Sequence, residues 1–456
     1  MSEPHDEDSG GDHGGKKGEK VAYGQYQFDL YAQALLSGKK PVVTTDPNKL
    51  EQAAKAAMSP EAFNYVLGGA GEQATVEANR LAFRQWKLIP RMLRPTMPRD
   101  LSVKLFGKTY DTPILMAPVG VQTAYHEDGE KGVATACASL GVPFIYSTAA
   151  STPLEAVAEA ADRSLSPPEP PQDNSNNNNN SNKDDEKAPE PARQPQAPRW
   201  FQLYWPLDDT ITASLLSRAR VAGCSVLVVT LDTFTLAWRP LDLDAGYLPF
   251  ARGEGNALGF SDPVFRKKFA DQSDGGAVED SVVAASRLWA SEVFSGHAHR
   301  WEDLATLRRL WGDGPIVLKG VLSVQDAEMA VRYGMNGIIV SNHGGRQLDG
   351  AVPSLEMLPE IVDAVGDRLT VLFDSGIRTG TDVMKALALG AKAVLVGRPV
   401  IYGLGAAGSE GARHVLASLL ADLDQSMGLA GVQSVGDLNR AMLRRINYGG
   451  DFKPLL

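Results

Sequence analysis

Thr370-Val371-Leu372-Phe373-Asp374-Ser375-Gly376-Ile377-Arg378-Thr379-Gly380 begins as a short apolar run and ends in a polar, glycine-rich turn. A helical pattern over 380–389 follows and stops at Gly390. It gives way to Ala393-Val394-Leu395-Val396-Gly397-Arg398-Pro399, a second apolar run with a second glycine–arginine turn. Strand, helix and strand in this order make a βαβ unit, whose two strands must run parallel. The same alternation recurs toward the N-terminus. Apolar runs at 113–120, 143–148, 200–204, 226–231, 315–319 and 337–341 predict six further strands, with helices at 129–140, 209–222 and 324–333. Asp209 and Ser323 are helix-start residues, while Gly141, Gly223 and Gly334 stand where helices stop. Eight buried-looking strands, each followed by a helix, predict an α/β chain folded as a (β/α)8 TIM barrel behind an N-terminal helical extension.

Strand ends at 117, 147, 202, 230, 319, 341, 374 and 397 are separated by 30, 55, 28, 89, 22, 33 and 23 residues. Most gaps hold one βα unit. The 55 contains the segment 164–198, which has eight Pro, seven Asn and no aromatic residue. Such a segment cannot bury enough apolar surface to offset its ordering entropy, which predicts a disordered insertion. It follows a helix and precedes a strand, so it should hang from the face away from the catalytic mouth. The gap of 89 marks a long loop after the fourth strand, about 233–300, and makes it a candidate lid. Residues 1–20 are almost devoid of apolar side chains and are expected to form a disordered tail; 21–456 then form a single barrel domain interrupted at 164–198.

Composition narrows the class. The 456 residues carry 45 Lys+Arg against 55 Asp+Glu, a net charge of −10, which argues against a nucleic-acid or anionic-membrane surface. No apolar run is long enough for a membrane helix, and the N-terminus lacks a signal peptide's apolar stretch. Cys137 and Cys224 alone cannot build a disulfide scaffold and fit a reducing, cytoplasmic location. His5 and His13 have no partners at ligand spacing, so no metal site is expected.

The strand ends carry the chemistry. After the sixth strand comes Ser341-Asn342-His343-Gly344-Gly345-Arg346-Gln347-Leu348-Asp349. His343 is able to take a proton near neutral pH, and Arg346 is able to hold a carboxylate through two charge-assisted hydrogen bonds. Glycine-rich turns after strands seven and eight, each with an arginine, form the usual phosphate site of such a barrel. Lys319, at the end of the fifth strand, is placed to stabilise a developing anion.

The segments SNHGGRQLD and DSGIRTGTDVMKALALGAKAVLVGRP resemble the FMN-dependent L-2-hydroxy acid oxidase and dehydrogenase family over about 51–442. The stretch WRPLDLDAGYLPF at 238–250, leading to SDPVF at 261–265, is most similar to that family's lactate 2-monooxygenase branch. The resemblance implies FMN as cofactor, with the flavin ring near Pro118, Val119 and Gly120. It implies that Ser147, Gln202 and Thr230 meet the ring's polar edge, that Lys319 faces N1 and O2, and that Ser341 assists the ribityl chain. Asp374, Gly376, Arg378, Gly397 and Arg398 would hold the ribityl and phosphate end. Arg346, Arg239 and Tyr65 would clamp the substrate carboxylate, and Tyr204 would bond the substrate oxygen. His343 would be the base, oriented by Asp232.

Blander readings stand beside these: His343 as a structural residue of a tight turn, Tyr65 and Tyr204 as packing aromatics, Asp232 as a helix cap, and Arg239 as a solvated charge on a mobile loop. His126, His297, His299 and His414 match no catalytic position and are expected to be surface or packing residues. The implied activity is oxidation of a small L-2-hydroxy acid, foremost L-lactate, with O2 as acceptor. A lid that cages pyruvate with peroxide would give acetate, CO2 and water; rapid release would give the 2-keto acid and H2O2. Ala149, where glycolate oxidases carry a bulky aromatic, leaves space near the flavin and puts glycolate in doubt. A homotetramer or larger homo-oligomer is implied as well. The reading from another class is a catalytically silent FMN-binding or scaffold protein, which the intact His343, Arg346, Arg239 and Tyr204 oppose.

Overall fold

The computed structural model describes residues 22–166 and 196–446. Most of the Pro/Asn insertion and all of the expected N-terminal tail lie outside the described residues. Eight parallel strands close into a barrel: β1 (Ile114–Met116), β2 (Phe144–Ser147), β3 (Arg199–Leu203), β4 (Leu227–Thr230), β5 (Ile316–Val321), β6 (Gly337–Val340), β7 (Thr370–Phe373) and β8 (Val394–Val396). Each pairs with its sequence neighbours, and β8 pairs with β1 to complete the ring. All eight overlap the runs read from the sequence; six fall inside them, while β3 begins one residue earlier and β5 runs two residues further.

The connections are helical. Gly129–Ser139, Leu154–Arg163, Asp209–Val221, Leu304–Trp311, Val324–Arg332, Ser354–Val365, Gly380–Ala388 and Arg398–Leu429 each follow one strand. Their starts are chemically specified: the Asp208, Ser323 and Thr379 side chains accept backbone N–H bonds from the first turns. Four helices precede the barrel, and Pro60–Leu67 among them matters most. Ser59 caps it, Pro60 opens it, and its buried face carries Phe63, Tyr65 and Val66 toward the mouth.

Side-chain alternation divides the barrel into two packed zones. Leu115, Ile145, Trp200, Val228, Val317, Ile339, Leu372 and Leu395 fill the interior, while the intervening residues pack against the helices. A hairpin (Val103–Leu105 with Lys108–Tyr110) plugs the lower end, where the Trp200 indole N–H donates to the Tyr110 hydroxyl at 3.1 Å. With the base filled, the barrel interior opens toward the C-terminal mouth.

The excursion after β4 differs from the mobile loop expected. It folds into helices at Pro240–Asp244, Pro263–Gln272 and Val282–Val293, with shorter turns between them. Asp262 is fully buried and caps Pro263–Gln272, and Arg218 bridges it to Glu155 on the second barrel helix. Backbone bonds from Ala257 to Ala150, and from Gly255 to the Ser151 hydroxyl, dock the excursion on the loop after β2. The flanks of the Pro/Asn insertion lie where the sequence placed them, between Leu154–Arg163 and the start of β3. There Asp162 accepts from the Ala197 N–H and pairs with Arg199.

Candidate active site

Two residues beyond the interior ring, alternation brings a second inward set to the mouth: Ala117, Ser147, Gln202, Thr230, Lys319, Ser341, Asp374 and Gly397. This set is polar because it no longer packs against other strands. Above it opens a cavity of about 1010 Å³, the solvent at its mouth included. Pro118, Val119, Gly120, Lys319 and Asp374 line it, with Gly376, Arg378, Gly397 and Arg398 at one end. Tyr65, Tyr204, Arg239, His343 and Arg346 line the remainder. Ser147, Gln202, Thr230 and Ser341, of the inward set beneath it, and Asp232 are not among the residues that line it.

His343 sits in a strained turn. Its φ is +57°, followed by +65° at Gly344 and +75° at Gly345, a run of left-handed residues that only glycines adopt freely. The Ser341 hydroxyl accepts from the His343 N–H, and Ser375 accepts from the Gly344 N–H, which fixes the turn. The imidazole Nδ1 lies 2.9 Å from Asp232 Oδ1 and 3.1 Å from Thr233 Oγ1, and Thr233 also donates to Asp232. Nδ1–H therefore donates to the carboxylate, leaving Nε2 as a free acceptor toward the cavity. Burial and the Lys319 ammonium hold His343 below its ordinary pKa, against the opposing pull of Asp232. Burial alone would raise the Asp232 carboxyl; His343 and Lys319 more than offset it and keep Asp232 ionised. The pair is a neutral imidazole on a fixed anion, the resting state of a general base.

The cations converge from three elements. Arg346 Nη1 donates to the Tyr65 and Gly68 carbonyls at 2.6 and 2.7 Å, and its guanidinium lies 5.2 Å from the Tyr65 ring centre. Arg239 is 6% exposed, not solvated as the alternative reading held; it donates to the Arg346 carbonyl and to Gln347 Oε1. Burial, then the nearness of Arg346, lowers its pKa, the mark of two cations awaiting an anion. Tyr204 packs on Phe294, and burial followed by Asp232 pushes its phenol well up, so it remains a proton donor. Lys319 Nζ lies 3.1 Å from Ser341 Oγ and 3.5 Å from an Asp374 carboxylate oxygen.

The residues present fit flavin mononucleotide. Gln202 Oε1 accepts from Ser147 and Thr148, yet its Nε2 donor is sealed off without a partner, as is Thr230 Oγ1. Orphaned buried polar atoms of this kind demand a ligand's matching groups. At the other end Arg378 and Arg398 form no ion pair among the described residues; Arg398 donates to the Val66, Leu67, Gly68 and Gly344 carbonyls. Burial, then neighbouring arginines, lowers the pKa of Arg398. A phosphate relieves that repulsion.

Three contributors carried no assignment in the sequence. Thr233 braces the Asp232–His343 pair, and Gln347 links Arg239 to the Asp232 and Thr235 carbonyls. Both sit beside assigned residues, so adjacency was their signal. Tyr125 also lines the cavity, and nothing in its surroundings in the chain marks it. Of the unassigned histidines, His414 is buried and its Nδ1 lies 2.7 Å from the Tyr26 hydroxyl, while His299 stacks on Trp205.

Comparison with known proteins finds a family and several relatives. The model of the FMN-dependent dehydrogenase family matches residues 54–445. An FMN-dependent alpha-hydroxy acid dehydrogenase (qulF) of Penicillium citrinum is 50% identical, covering 96% of this chain and 99% of that protein. An L-lactate oxidase of Lysinibacillus sphaericus is 37% identical, covering 86% of this chain and 91% of that protein. Among solved structures, a mandelate oxidase superposes with a TM-score of 0.70 at 37% identity, covering 88% of this chain and 98% of the other.

Proposed function

The chain belongs to the FMN-dependent dehydrogenase family, and from that premise we propose how its own residues oxidise a 2-hydroxy acid. FMN is its cofactor and 2-hydroxy acid oxidation its reaction class. Bound FMN supplies the two-electron acceptor for the α-hydrogen and the route of electrons onward to oxygen.

The substrate carboxylate binds between the Arg346 and Arg239 guanidiniums with Tyr65 beside them, which fixes the α-carbon in a single orientation. His343 Nε2 removes the hydroxyl proton, and Asp232, holding Nδ1–H, stabilises the imidazolium that results. Tyr204 donates to the substrate oxygen. The Lys319 ammonium, held by Ser341 and Asp374, stabilises the negative charge that accumulates in its neighbourhood. The single observation that carries the reading is the 2.9 Å contact of Asp232 with His343, which shares one cavity with two carboxylate-free arginines, the half-buried Arg346 and the buried Arg239.

The finer proposal is oxidation of L-lactate with O2, in the manner of a lactate 2-monooxygenase. Lactate and O2 then yield acetate, CO2 and water, because the docked excursion over the mouth detains pyruvate with hydrogen peroxide long enough for decarboxylation. The proposal carries with it a cytoplasmic homotetramer or larger homo-oligomer. Purified holoenzyme mixed with L-lactate in air tests the outcome. Acetate in excess of pyruvate supports it. Pyruvate with stoichiometric peroxide replaces it with an oxidase, and absence of any turnover or flavin bleaching leaves only a silent FMN-binding protein.

A further inference from the structure

Side-chain alternation breaks at one place in β5. Lys319 pairs with Ile339, and Val321 pairs with Val340, the next residue of β6, so Gly320 is an extra residue in a β-bulge. Unbroken alternation would send Val321 into the barrel after Val317 and Lys319. Instead Val321 is buried in the layer between strands and helices, while Val317 belongs to the interior. Gly320 has a φ of +101°, a backbone conformation that residues with a Cβ rarely adopt. The bulge therefore directly follows Lys319, at the mouth of the barrel.

Backbone conformation is one reason for a glycine here, and Asp232 is the other. A Cβ at position 320 would stand 2.9 Å from Asp232 Cβ and Cγ, and 3.0 Å from its Oδ2. Non-bonded carbons pack best at ~3.5–4.0 Å, so Asp232 already fills that space. The carboxylate is seated between two surfaces. His343 and Thr233 bond its Oδ1, while its Oδ2 side rests on the bare Gly320 backbone. Oδ2 accepts no hydrogen bond among the described residues, so contact alone fixes that side. Gln347 donates to the Asp232 carbonyl at 2.7 Å, which leaves the side chain as the part able to yield. Room to yield exists, because Asp232 and Gly320 line a second cavity of about 980 Å³, the solvent at its mouth included, that His343 does not line.

We propose that Gly320 is a positioning residue for the reaction: by lacking a side chain it seats the Asp232 carboxylate at hydrogen-bond distance from His343. This rests on the reaction proposed above and adds to it a residue that does not line the substrate cavity. A side chain at 320 displaces the carboxylate, and His343 then loses the anion that orients Nδ1–H and stabilises the imidazolium. The carboxylate clamp is left as it was, so the loss falls on the chemical step and not on binding.

The test mixes holoenzyme variants anaerobically with L-lactate and reads the bleaching of the flavin. Gly320→Ala is expected to keep its colour and to bleach roughly 10²-fold more slowly. Its affinity for propanoate, a carboxylate without an α-hydroxyl, is read from the flavin absorbance and is expected to stay within about threefold of wild type. In an Asp232→Gly background, which removes all three contacting atoms, the same substitution is expected to cost less than about tenfold. Equal cost in the two backgrounds overturns the proposal and assigns the effect to Lys319 or to the backbone. So does bleaching of Gly320→Ala within about threefold of the wild-type rate. Asp232→Glu gives a second reading that leaves the bulge intact: the longer carboxylate exceeds its seat, and bleaching is expected to slow by roughly 10²-fold with the colour kept. A Glu variant as fast as wild type overturns the proposal as well. Failure of the reaction itself shows separately, as no bleaching of the wild-type flavin by any 2-hydroxy acid.

Discussion

At the scale of single residues, the account turns on the protonation of His343. The imidazole must be neutral to accept a proton, and burial with Lys319 lowers its pKa, so the active form persists below the ordinary histidine range. The acid limb of kcat/KM against pH is therefore expected below about 6.5, with activity rising through it as pH increases. Asp232→Asn removes the carboxylate beside Nδ1 that raises this pKa, so the residual limb moves to lower pH while kcat falls by roughly 10²-fold or more. A limb that moves upward contradicts the pairing. Arg346→Lys replaces a fork anchored on two carbonyls by a point charge. A rise in KM of about ten- to a hundredfold is expected, with a smaller change in kcat, and an unchanged KM would remove Arg346 from the clamp. His343 and Arg346 were legible because a histidine and an arginine three residues apart in a glycine-rich turn have few structural uses. The burial of Arg239 was not, since it depends on where the excursion folds.

At the scale of elements, the period of two along each strand made both barrel and mouth readable: an apolar residue facing the interior, then a polar one two places on. The helices of the excursion had visible signals as well, Asp262-Pro263 above all, but the length of the gap concealed their packing. Glu130 shows what remained hidden. It is buried in the first turn of Gly129–Ser139, accepts from the Gln122 and Ser151 N–H groups and the Thr152 hydroxyl, and so ties the loop after β1 to the loop after β2. Burial raises its pKa even against these bonds. Glu130→Ala strands three donors and is expected to lower stability by about 3 kcal/mol, whereas Glu130→Gln keeps the shared acceptor and loses less. Equal thermal melts for the two variants would refute this. Removal of 167–195 is the opposite case. Its flanks meet at the strand-start face, tied by Asp162, so kcat is expected to stay within about twofold. A fall of roughly tenfold would place the segment at the mouth instead.

For the whole molecule, filling the lower end and opening the upper one concentrates function at one place. Net charge is −10, yet four arginines and a lysine converge on that single cavity, so the protein holds an anion-binding interior in an acidic shell. Composition could not show this, because the cations come from the excursion, from β5 itself and from the turns after β6, β7 and β8, far apart in the chain. The central claim is that His343 acts on a 2-hydroxy acid held against bound FMN, and rapid anaerobic mixing with L-lactate, read by the flavin's visible absorbance, tests it most directly. Wild type should bleach with the L enantiomer. His343→Ala should keep its FMN and its colour, bleaching roughly 10²–10⁴-fold more slowly. Bleaching of that variant at the wild-type rate would contradict the account.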